Sequence, residues 1–155
     1  PELHPVGLET VLQTEIEKAR SAHEAATISI TGDIPSGLRV SATDLLASVF
    51  RNLLNNAVTH NDKAEPQITV DVDVGPETVD VHVADNGPGI SESLKTEIFS
   101  HGEMGAESQG SGIGLYLVDT LVGIYDGTVT IDDRAAWLGE PELDGSVFTV
   151  TLHRI

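Results

Sequence analysis

The sequence contains no cysteine, which excludes disulfides and thiolate metal sites. Basic residues are scarce as well. Eight lysines and arginines, three of them lysine, stand against 25 acids, for a formal net charge of −17. A field of that sign repels a phosphate backbone, so no nucleic acid partner is expected. No run of 18 apolar residues occurs, so nothing reads as a membrane-spanning helix, and no signal-peptide pattern opens the chain. The chain starts at Pro1 and its single methionine is Met104. The expectation is one domain, 1–155, excised from a longer protein, with a membrane-bound parent left open.

What is present is an ordinary hydrophobic fraction, 39% of 155 residues, enough for a proper core. Few lysines with many Asp, Glu, Val, Thr and Ala suggest adaptation to concentrated salt, which would screen the self-repulsion of so many acids. A melting temperature that did not rise from low salt to molar KCl would argue against that expectation.

Apolar positions Leu8, Val11, Leu12, Ile16 and Ala19 predict a helix over 7–25, followed by a strand Thr27 to Thr31 and a loop over 32–37. A second helix is predicted from near Ser41 or Thr43 to His60, with an apolar stripe from Leu45 to Val58. Ile68, Val70, Val72 and Val74 alternate with polar residues, as do Val79, Val81 and Val83, which predicts a hairpin turning at Gly75-Pro76-Glu77-Thr78. A short helix over 91–99, a mobile loop over 101–110 and a third long helix from Ser111 to about Tyr125 follow. Strands at Thr128 to Asp132 and Val147 to Leu152 close the chain, joined by a polar connection containing Trp137 and Pro141. The implied class is α+β: a two-layer α/β sandwich whose mixed, mostly antiparallel sheet of about five strands is covered on one face by three helices.

Three constellations carry chemistry. Asp85 continues the valine side of its strand, so a carboxylate points where a core residue belongs and requires a hydrogen-bonding partner or a ligand. Asn86-Gly87-Pro88-Gly89-Ile90 follows at once, a turn that lets backbone lie close to a ligand. Asn52 and Asn56, four residues apart, share a face of the second helix, and Asn55 lies between them. Asparagine is poor inside helices, and a neutral amide oxygen can hold Mg²⁺ beside phosphates; a solvated polar edge is the plain alternative. Finally, Gly110-Ser111-Gly112-Ile113-Gly114-Leu115 opens a helix and offers backbone N–H groups to phosphate oxygens. It meets neither the dinucleotide fingerprint nor the P-loop pattern.

Taken in order, these motifs resemble the ATP-binding domain shared by sensor histidine kinases, type II topoisomerases, mismatch-repair ATPases and heat-shock chaperones. Residues 49–57 resemble the histidine-kinase N box, 85–90 its first glycine box, 110–118 its second, and Glu97-Ile98-Phe99 the start of the F box. Tyr125-Asp126-Gly127 and Gly145-Ser146-Val147-Phe148 resemble the closing strands. The resemblance spans nearly the whole chain. It implies ATP and Mg²⁺ as cofactors. Asp85 would accept from the adenine amino group, Gly87 and Gly89 would let backbone pass the base, and Ser146 would reach the base through water. Asn56, supported by Asn52, would hold Mg²⁺, and Gly110, Gly112 and Gly114 would surround the phosphates together with Ser111. Ile90, Ile113 and Leu115 would line the adenine side, and residues 99–110 would be the ATP lid.

It also implies a cytoplasmic domain, as part of a full-length homodimer. The partners would be the protein's own dimerisation domain bearing the acceptor histidine, outside this chain, and a response regulator. The isolated domain would be monomeric. Departures fall at the phosphate end. Thr59, followed by His60, stands where the family usually has Lys or Arg; no Lys or Arg lies between Lys95 and Arg134; and Gly102 replaces a second F-box aromatic. His60 or His101 could substitute in part. His23-Glu24 has the letters of an acceptor motif but falls inside the ATP domain and reads as structural. The readings left open are a histidine kinase's catalytic domain, a nucleotide-sensing module that transfers phosphate poorly, and a relative such as an anti-sigma serine kinase or a topoisomerase-type ATPase.

Overall fold

The computed structural model describes residues 2–97 and 111–155, apart from the side chains at 96, 97 and 111–113. The lid, Gly110, Phe99, His101 and Gly102 therefore lie outside the described residues, as do the side chains of Ser111 and Ile113.

Three helices form one layer. In α1 (Leu8–Ala22), Leu8, Leu12, Ile16 and Ala19 are buried at helical spacing; in α2 (Leu46–Thr59), Leu46, Val49, Phe50, Leu53, Leu54 and Ala57 are. In α4 (Ser111–Ile124), Leu115, Val118, Leu121 and Val122 are buried, as is Tyr125 just beyond it. The other layer is a five-stranded sheet of β2 (Thr27–Thr31), β4 (Gln67–Val74), β5 (Thr78–Asp85), β7 (Ser146–His153) and β6 (Thr128–Asp133), in that spatial order. Only β2–β4 is parallel among these pairs. This is the sandwich that the periodicity implies, with helices on one face of a mixed sheet.

Register decides what each face carries. Val70 pairs with Val83, Val72 with Val81 and Ile68 with Asp85, so the valines and Asp85 share the helix-covered side. Asp71 pairs with His82 and His82 with Thr149, which puts these polar residues on the opposite face.

Two elements differ from the sequence reading. Residues 41 and 42 belong to β3 (Arg39–Ala42), which pairs antiparallel with β1 (His4–Gly7) in a separate ribbon, and α2 begins only at Leu46. Ser41 and Thr43 are good helix-capping types, but pairing with a strand more than thirty residues earlier outweighs that local preference. The connection holding Trp137 contains a one-turn helix, α5 (Arg134–Leu138), ended by Gly139 in the left-handed conformation. Between β5 and the undescribed stretch, α3 (Glu92–Glu97) is capped by the Ser91 hydroxyl, which accepts from the Leu94 N–H at 3.3 Å.

Candidate functional site

The site grows from the end of β5. Asp85 is 7% exposed, and its partners are built around it. The Gly87 N–H donates to Oδ1 at 2.9 Å, the Ser146 N–H to Oδ1 at 3.4 Å and the Ser146 hydroxyl to Oδ2 at 3.1 Å. Burial pushes the Asp85 carboxyl above the usual carboxylate range; these hydrogen bonds and the charge of Arg134 offset only part of that. The acid is thus held in place and still short of full solvation, with lone pairs left to accept from a ligand's N–H. Ser146 serves here as a direct partner of the acid.

Glycine makes this approach possible. Gly145 has φ +113°, and a Cβ there would collide with the Asp85 carbonyl oxygen. Gly89, at φ +85°, lies against the Gly145 carbonyl. At Gly87 a Cβ would crowd Asp85 Oδ1 at 3.0 Å and meet Asn61 and the His60 carbonyl in ordinary contact at 3.5 Å, so the Asp85 turn abuts the C-terminal end of α2. Asn86 binds the two together. Its Oδ1 accepts from Asn61 Nδ2 at 2.7 Å and from the Gln67 N–H at 2.9 Å. In the sequence Asn86 belongs to the glycine turn and Gly145 to a closing strand, but neither these contacts nor Asn61 can be read from it. The Asn-Asn pairing left no periodic trace, whereas Gly145 beside Ser146 was a visible glycine at a strand start.

The three asparagines of α2 part company. Asn52 Nδ2 donates to the Ser48 carbonyl at 2.7 Å, and its Oδ1 faces Gly114 so closely that a Cβ there would be 2.6 Å away. Asn52 and Gly114 thereby lock α2 against α4. Asn55 is exposed and contacts His23 Nε2 at 3.1 Å, away from the other two. Asn56 is half-buried, and among the described residues its side chain makes no hydrogen bond. Thr59 returns its hydroxyl to the Asn55 carbonyl at 2.8 Å, and His60, exposed, ends the helix. Ile90 is partly buried against the core; Leu115, at 1% exposure, is a core residue. Gly112 lies in the first turn of α4.

The lysines are already engaged. Lys63 pairs with Asp62 at 3.0 Å and Asp144 at 3.5 Å, and Lys95 with Glu92 at 2.7 Å and Asp133 at 2.8 Å. Lys18 pairs with the buried Glu15, which also holds Arg51 at 2.9 Å. Each of the three lysines is thus ion-paired.

Comparison with known proteins agrees with this geometry. The family of histidine kinase-, DNA gyrase B- and HSP90-like ATPases matches residues 41–154. The sensor-like histidine kinase SenX3 of Mycobacterium tuberculosis is 25% identical over 98% of this chain, which spans 37% of that protein. The adaptive-response sensory kinase SasA of Synechocystis is 31% identical over 84% of the chain, which spans 35% of it. Among solved structures, the catalytic domain of histidine kinase ThkA superposes with a TM-score of 0.83 at 22% identity, covering 99% of this chain and 96% of that one. The mycobacterial sensor histidine kinase MprB superposes with a TM-score of 0.79 at 22% identity, covering 98% and 97%.

Proposed function

The chain belongs to the histidine kinase-, DNA gyrase B- and HSP90-like ATPases, and from that premise we propose that it is the catalytic ATP-binding domain of a sensor histidine kinase. It binds Mg·ATP and passes the γ-phosphoryl group to a histidine on a separate dimerisation domain, for onward transfer to a response-regulator aspartate. In this reading the domain formed by residues 1–155 lies in the cytoplasm and the full-length parent is a homodimeric sensor. Among the described residues no helix is long and apolar enough to cross a membrane.

The observation that carries the reading is Asp85, a nearly buried carboxylate fixed by Gly87 and Ser146. Such an acid distinguishes an exocyclic amine, which donates, from a carbonyl oxygen, which would be repelled; adenine meets that condition. Gly87 and Gly89 keep the wall thin where the base approaches, and Ile90 offers an apolar edge. Ser146 holds the acid. Asn56 fits a metal ligand because its half-buried amide oxygen has no side-chain partner among the described residues, while Asn52 positions α2 against Gly114. Mg²⁺, when bound, would neutralise phosphate charge that the paired lysines do not. Backbone N–H groups at 110, 112 and 114, with Ser111 beside them, would receive the phosphates, and His60 follows Thr59, which occupies the place of the family's usual base. Leu115 backs the adenine side from the core, and Ile113 is assigned to that side by the family pattern alone.

The test joins the chain to its own upstream helical region and supplies radiolabelled ATP with Mg²⁺ at high salt. Acid-labile, histidine-linked label that disappears in Asn56→Ala is expected. Tight ATP binding without label would turn the reading towards a nucleotide-sensing module.

A further inference from the structure

The sheet face turned away from the helices holds a second constellation. Asp71 and Asp73, two residues apart on β4, project from the same face, and His82 on β5 stands directly opposite Asp71. One ligand atom from each lies within 4.8 Å of the others, the one such group of three among the described residues. We propose that Asp71, Asp73 and His82 form a binding site for a first-row divalent cation of the zinc class, separate from the nucleotide pocket.

Four observations support it. His82 Nε2 and Asp73 Oδ2 are 3.1 Å apart. Two ligands of one ion, each bonded at about 2.1 Å, stand about 3.0 Å apart at a right angle and about 3.4 Å apart in a tetrahedron. The ion therefore enters by displacing the proton between these atoms, with little movement of either side chain. The outer partners are also in place: His82 Nδ1 meets Thr149 Oγ1 at 2.8 Å, and the Thr31 hydroxyl donates to Asp71 Oδ1 at 2.8 Å. Such contacts fix the tautomer and orient carboxylates in metal sites. His82 is 8% exposed, with the Trp137 ring 5.2 Å away, whereas Asp73 is open to solvent, so an ion has a rigid wall and an entry path. An imidazole with two carboxylates and no thiolate selects a borderline ion over Mg²⁺ or Ca²⁺, and the net charge of −17 draws any cation in.

The test uses the whole chain, stripped with chelator and free of nucleotide. Zinc chloride is titrated by calorimetry and by the emission of Trp137, the chain's single tryptophan. One ion per chain is expected, with tryptophan emission saturating at the same ratio. Asp73→Asn, at an exposed position that keeps the fold, weakens zinc at least about tenfold, Thr149→Val about tenfold through loss of the outer contact, and the distant surface change Asp119→Asn leaves it unchanged. Zinc bound equally tightly by Asp73→Asn and His82→Gln, no saturable binding below millimolar zinc, or Mg²⁺ bound as tightly as zinc would overturn the site.

Discussion

The two ends of the pocket are built on opposite plans. At the Asp85 end the groups already have partners: a nearly buried acid, two donors from Ser146, one from Gly87, and a glycine at 145 that admits them. At the Asn56 end the half-buried amide has no side-chain partner among the described residues, and Thr59 turns back on its own helix. The first plan suits recognition of a fixed shape, because the donors and acceptors stand in place before a ligand arrives. The second leaves polar atoms for groups that come with the ligand. Binding and transfer can therefore fail separately.

The largest expected effect breaks the preorganised end. Gly145→Ala should lower stability by about 3 kcal/mol or more, from a disallowed φ and a collision with the Asp85 carbonyl. An unchanged denaturation midpoint would mean that β7 can shift away at no cost.

Next comes Asp85→Asn, which should weaken ATP at least about tenfold, since a hydrogen bond to a charged group contributes roughly 1.5–3 kcal/mol. The same change should raise the melting temperature of the nucleotide-free chain. The folded carboxyl has its pKa raised by burial, so its contribution to stability is present at low pH and lost as pH rises through that raised value. Because adenine binding needs the carboxylate, affinity should fall as pH drops through the same range, and Asp85→Asn should flatten that dependence. Calorimetry across pH checks both signs.

A smaller effect sharpens the open end. Asn56→Ala should weaken Mg·ATP about fivefold, the loss of about 1 kcal/mol, and leave adenosine affinity unchanged. Equal losses for both ligands would place Asn56 at the base. The smallest is Thr59→Lys, which should tighten ATP relative to ADP only about twofold, as befits an exposed charge. A larger gain would show that the phosphate end lacks only this one base.

The long elements were legible because their signals are local. Alternating valines predicted the β4–β5 hairpin and its turn, and the side of the strand on which Asp85 falls followed from the period of two. The stripes of α1, α2 and α4 were equally plain, although α2 begins later than its capping residues suggested. The ribbon of β1 and β3 was not legible, because four-residue strands carry too little pattern and exist only by pairing with each other. Within the site, the three asparagines of α2 look alike in sequence, yet Asn52 is bound to Ser48, Asn55 contacts His23, and Asn56 is left without a side-chain partner among the described residues.

By itself, then, the sequence determined which residues face the core and where acids and glycines interrupt that pattern, since periodicity is set by the geometry of a single helix or strand. Only the tertiary structure decided which interruptions meet. Gly145 reaches Asp85 across 60 residues, Gly114 reaches Asn52, and His82 reaches Asp71 and Asp73, through strand register and helix packing that no single segment encodes.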